Sequence, residues 1–115
     1  MRSLEELDIP GAVRVALSGV KEALRARFGA RLLDVRLFGS RARGEGRTES
    51  DADVLIVLDR VDRADFDAVT DLCADVLLAH DLLVDPRLMS LERWRHHREQ
   101  ERPLVMDVER DGVPL

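Results

Sequence analysis

Asp51 and Asp53 stand one residue apart, directly ahead of the apolar run Val54–Leu58. Side chains two apart in an extended strand share a face, so both carboxylates point to one side where that strand begins. Carboxylates set against a core are costly to ionise unless a cation offsets them. A later segment, 81–90, carries Asp81 and Asp85, which also share a face if the strand is regular. Two or three carboxylates converging from neighbouring strands form a hard oxygen-donor site suited to Mg2+ or Mn2+. A pair of such ions about 3.5–4 Å apart can clamp the attacking and leaving oxygens of a phosphoryl displacement.

Gly39-Ser40 supplies the complementary chemistry. Glycine lets backbone N–H groups approach a phosphate closely, and the serine hydroxyl adds a donor. Arg41 and Arg43 follow, with guanidinium groups suited to triphosphate oxygens. Each residue alone has a plainer use: Asp51 as a turn cap, Asp53 in an arginine pair, Ser40 in a turn, the arginines as solvated loop charges. The combination of donors after one strand and carboxylates before the next is what points to a nucleotide. Within the third strand Asp85 is the preferred third carboxylate, and Asp81, next to His80, reads as a turn residue or a second choice.

The elements that must position these groups follow from periodicity. Val13, Leu17, Val20, Leu24 and Phe28 recur at spacings of three and four, which predicts an amphipathic helix between Pro10-Gly11 and Gly29. Leu33, Val35 and Leu37 alternate in Arg31–Phe38, a first strand, and Gly39–Ser50 is a loop. Val54–Leu58, apolar on both faces, is a central strand. Asp62 caps a second helix reaching His80, with Phe66, Val69, Leu72, Cys73, Val76 and Leu77 as its buried stripe. Asp81–Ser90 is a third strand that Pro86 restricts to an edge or a bulge. Ser90 caps a polar helix anchored by Leu91 and Trp94 and stopped before Pro103; a short helix and a loose end follow. The expected fold is α/β (α+β): a small mixed sheet of three or more strands flanked by helices, in one domain over residues 1–115.

Composition narrows the function. The chain has 115 residues, a formal charge of −5 and 3% aromatic residues without tyrosine, which argues against DNA binding and base stacking. Its single cysteine, Cys73, reads as a core residue and excludes an internal disulfide or a cysteine zinc site. The neighbours His96 and His97 point about 100° apart on a helix and cannot chelate together. The N-terminal segment lacks the apolar run of a signal peptide, and no stretch approaches a membrane span, so a cytoplasmic protein is expected.

The stretch "GSRARG" followed by "SDAD" and an apolar run resembles the nucleotidyltransferase superfamily related to DNA polymerase beta. Its signature is Gly-Ser, about ten residues, then Asp-x-Asp, and here Arg41–Ser50 separates Ser40 from Asp51. Together with the closing "VERDGVPL", the chain resembles the minimal nucleotidyltransferases that serve as antitoxins beside HEPN-domain toxins. The resemblance implies ATP and Mg2+ (or Mn2+), with AMP transferred to an acceptor hydroxyl, such as a tyrosine of the HEPN toxin. It implies that Gly39 and Ser40, aided by Arg43, hold phosphates. It further implies that Asp51 and Asp53 ligate metal and that a third carboxylate, Asp85, completes the site and helps deprotonate the acceptor. Larger relatives carry a further domain for the acceptor and the base, for which 115 residues leave no room, so either the acceptor binds an open cleft or another chain completes the site. Two alternatives stay open: an antitoxin acting by contact alone, and a small-molecule transferase of the aminoglycoside type whose pocket is built by a homodimer. An open sheet edge or the Trp94 helix offers a surface for self-association.

Overall fold

The computed structural model describes residues 4–7, 9–39, 42 and 51–115. Among these, four α-helices surround a four-stranded mixed sheet. In chain order the elements are α1 (Gly11–Phe28), β1 (Leu32–Phe38), β2 (Ala52–Leu58), α2 (Arg63–His80), β3 (Val84–Ser90), α3 (Leu91–Glu99), α4 (Pro103–Asp111) and β4 (Val113–Pro114). Single 3-10 turns occupy Leu4–Glu6 and Gly29–Arg31. The strand order is β3-β2-β1-β4, with β1 antiparallel to both β2 and β4, and β2 parallel to β3.

The central strand explains the layering. Ala52, Val54, Ile56 and Leu58 face one side and join Leu17, Val20, Leu24 and Phe28 of α1 and Val69 and Val76 of α2. Leu55 and Val57 face the other side and meet Phe38, Met89, Trp94 of α3 and Val105 and Val108 of α4. A strand apolar on both faces thus sits between two helical layers, as its composition requires. Helix α2 begins with a capping box: the Asp62 carboxylate accepts from the Asp65 N–H, and Asp65 accepts from the Asp62 N–H.

Several expectations need correction. The third strand starts at Val84, and Asp81 instead closes α2 with φ 53°, a left-handed position that aspartate tolerates better than most residues. Phe66 and Leu77 are exposed, because α2 buries only the narrow seam through Val69 and Val76, with Leu72 and Cys73 beside it. Leu33 is also exposed: a register irregularity between Leu32 and Asp34 breaks the alternation at the start of β1. The C-terminal segment is not loose. Pro103 opens α4 as its first residue, where a missing N–H costs nothing, and Val113 then pairs with Leu37. Pro86 does lie on an edge strand, opposite Val54.

Candidate active site

Antiparallel pairing of β1 with β2 brings the end of one strand beside the beginning of the next. Parallel pairing of β2 with β3 adds the beginning of the third. Phe38, Asp53 and Asp85 therefore lie in one row across three strands. Gly39 follows Phe38 with φ +77°, a backbone conformation that side chains disfavour. A Cβ there would collide with Oδ2 of Asp53 and stand 3.2 Å from its Cγ. Glycine is needed twice over: for the turn, and because the Asp53 carboxylate fills the space a side chain would take.

Asp53 is half-buried, whereas Asp51, two residues earlier, is exposed. The Asp53 carboxyl is pushed above its usual pKa, first by burial, then by the charge of Asp85 and a hydrogen bond shared with it. Asp51 adds to the shift and Arg87 opposes it. Arg87 Nη2 stands 3.5 Å from Asp85 Oδ2. The result is an oxygen-rich concentration of negative charge at one end of the sheet. Among the described residues no three of His, Cys, Asp and Glu form a ready-made metal-ligand group. That fits Mg2+, which is held by one or two carboxylates together with substrate phosphates rather than by an all-protein cage. The carboxylates of Asp53 and Asp85, paired across adjacent strands, suit such shared ligation.

Of the residues singled out from sequence, the structure brings Gly39, Asp53 and Asp85 together, with Asp51 within electrostatic range of Asp53. Asp81 lies at the end of α2, outside the strand. Ser40, Arg41 and Arg43 lie outside the described residues, although Ala42 between them is fully buried in the α1/α2-side core. Cys73 packs against that core, and burial followed by the Asp85 charge pushes its thiol up to about 11, so it stays a thiol at neutral pH. Trp94 is buried under the opposite layer and offers no binding surface. Sequence reasoning missed Arg87. The period-two rule that paired Asp51 with Asp53 would have placed Arg87 beside Asp85.

Residues 17–108 match the family model described as Nucleotidyltransferase domain. The chain belongs to the nucleotidyltransferase family. The matched span contains Gly39, Ser40, Asp51, Asp53 and Asp85, so the family assignment and the carboxylate row concern the same part of the molecule. The chain is similar to Putative protein adenylyltransferase MJ0604 of Methanocaldococcus jannaschii, 37% identical over 89 residues that cover 72% of this chain and 85% of the relative. A solved structure described as a minimal nucleotidyltransferase superposes with a TM-score of 0.63 at 27% identity, covering 99% of this chain and 97% of that one. A toxin–antitoxin crystal structure with AMP-PNP shares the fold at a TM-score of 0.56 and 24% identity, covering 84% of this chain and 69% of that one. The protein is a nucleotidyltransferase with the fold of the minimal members of the polymerase beta-like group.

Proposed function

We propose that this nucleotidyltransferase, as one domain over residues 1–115, moves AMP from ATP onto a tyrosine hydroxyl of a HEPN-type toxin in the cytoplasm and so acts as its antitoxin. The observation that carries this is the pairing of Asp53 with Asp85 at one end of the sheet, with the Gly39 turn packed against Asp53. The relative named as a protein adenylyltransferase supports the type of acceptor, and the toxin–antitoxin neighbour with AMP-PNP supports the nucleotide and the class of partner. Among the described residues no helix is long and apolar enough to cross a membrane.

Each side chain has a task in that reaction. The Gly39 turn, with Ser40 and Arg43, holds the terminal phosphates by backbone and side-chain donors. Asp53 and Asp85 would hold Mg2+ jointly with the phosphates, with the charge of Asp51 beside them, and the ion when bound would neutralise charge on the phosphate oxygens. Asp85, on the edge strand and paired in register with Asp53, takes the proton from the attacking hydroxyl. The acceptor oxygen bonds to the α-phosphorus, the bond from that phosphorus to the bridging oxygen breaks, and pyrophosphate leaves with the electron pair.

The test is transfer of label from α-labelled ATP and Mg2+ to the protein encoded by the adjacent reading frame. Wild type should label it, and Asp53→Asn should do so at least about a hundredfold more slowly. Absence of labelling beside an active control enzyme contradicts the proposal. Full neutralisation of the partner by Asp51→Ala/Asp53→Ala would show instead that contact suffices.

A further inference from the structure

Among the chain's arginine–carboxylate contacts, two at opposite extremes are informative. Arg31 grips Asp65 through two hydrogen bonds of 3.0 and 2.7 Å, with the Asp65 side chain only 3% exposed. That is how this fold builds a structural ion pair: short, two-pronged and dry. Arg87 meets Asp85 through one contact of 3.5 Å, with side chains 54% and 39% exposed. Such a pair is long, single and open to water, so it is held weakly and released easily. Yet it is not placed at random. Arg87 follows Asp85 by two residues on an edge strand and so shares its face, beside the row that holds Asp53.

We propose that Arg87 is the resident counter-cation of the metal-free site, and that it must leave Asp85 before a divalent ion can be held there. This rests on the carboxylates of Asp53 and Asp85 being the metal site. A guanidinium and a doubly charged ion cannot share the Asp85 carboxylate without strong mutual repulsion, so loading is an exchange of one cation for another. The free protein thereby keeps its carboxylates partly neutralised, and bare metal binds less tightly than the acidic cluster alone would allow. A nucleotide tips the exchange, because its phosphates bring further ligands for the ion and offer the displaced guanidinium a new anion to face.

The sign of the expected effect separates this from a structural role. Removing a residue that merely supports the site loosens metal binding, whereas removing a competitor tightens it. Free Mn2+ measured by electron paramagnetic resonance at fixed ionic strength reads this without turnover, using wild type, Arg87→Ala, Arg87→Lys and Asp53→Asn. Arg87→Ala should bind Mn2+ roughly three- to tenfold more tightly than wild type, the scale of repulsion between such charges a few ångströms apart near water. Arg87→Lys, which keeps the charge, should stay close to wild type, and Asp53→Asn should bind more weakly. If Asp53→Asn weakens Mn2+ binding but Arg87→Ala leaves it unchanged or weakens it, the exchange is wrong and the metal site stands. Equal tightening by Arg87→Ala and Arg87→Lys also overturns it, since the charge would then not be responsible. If wild type and Asp53→Asn bind alike, or neither binds even with AMP-PNP present, the site assignment fails and the exchange with it.

Discussion

Replacing Gly39 by alanine tests the centre of the site with one methyl group. Two costs are separable. The φ of +77° disfavours any side chain, at about 1 kcal/mol for alanine. The new Cβ would also overlap the Asp53 carboxylate, with Cγ only 3.2 Å away, so that side chain must leave its place or the turn must shift. Forcing a side chain off its preferred rotamer costs about 0.5–1.5 kcal/mol. The sum is about 2 kcal/mol, which at about 4 °C per kcal/mol for a domain of this size lowers Tm by roughly 8 °C. Activity should fall further than stability does. Moving a catalytic group by about 1 Å can cost a hundredfold in rate, and the residue displaced is Asp53, which the proposed function makes a metal ligand. Gly29 provides the control, since it also has positive φ, +57°, but nothing lies within 4 Å of its hypothetical Cβ. Gly29→Ala should lower Tm through backbone strain while leaving nucleotide transfer per folded molecule intact. The assays are thermal unfolding and transfer of labelled AMP at a temperature where each variant is folded. A Gly39→Ala protein that melts like wild type and transfers at full rate would refute the account of Gly39. So would equal loss of transfer in Gly29→Ala.

Two predictions concern pH. Arg31, followed by the Asp62 N–H, holds the buried Asp65 carboxyl well below the usual 3.8. A depressed folded pKa means that its contribution is present above pH 3.8 and is lost as acid protonates the group below it. Asp65→Asn should therefore lower Tm at pH 7 and flatten the acid limb of the stability curve; an unchanged acid limb in thermal melts would count against this. His97 has a buried Nδ1 without a hydrogen-bond partner among the described residues. Burial, then Arg93, Arg102 and His96, push its pKa below the usual 6.5. Stability from the neutral ring is present above pH 6.5 and declines as pH falls through it, so wild type should lose Tm between about pH 7 and 5 more steeply than His97→Gln. Parallel profiles in the two proteins would remove His97 from that region of the curve.

Most of the helical and strand content was legible because its signals are local. The three- and four-residue spacing of Leu17, Val20, Leu24 and Phe28 marks α1, and these residues are buried as expected. Asp62 and Ser90 cap the helices that follow them. The errors share a cause. Phe66 and Leu77 belong to a plausible stripe, but how wide a stripe a helix buries depends on what packs against it. Leu33 alternates correctly in sequence and is turned outward by a register irregularity that depends on the partner strand. The two residues of β4 are too short to carry any pattern and are a strand only because β1 presents an unpaired edge to them.

The same division runs through the site. By itself the sequence determined that a carboxylate, Asp53, stands at the start of a strand apolar on both faces, and that a glycine, Gly39, follows the strand before it. Period-two alternation and backbone freedom are properties of a few adjacent residues, so no fold is needed to read them. Only the tertiary structure decided that Asp85, and not Asp81, lies opposite Asp53, that the Asp53 carboxylate fills the space beside Gly39, and that Arg87 stands against Asp85. Strand register is fixed by burying both faces of β2 at once, a condition spread over residues far apart in the chain, and no short stretch encodes it.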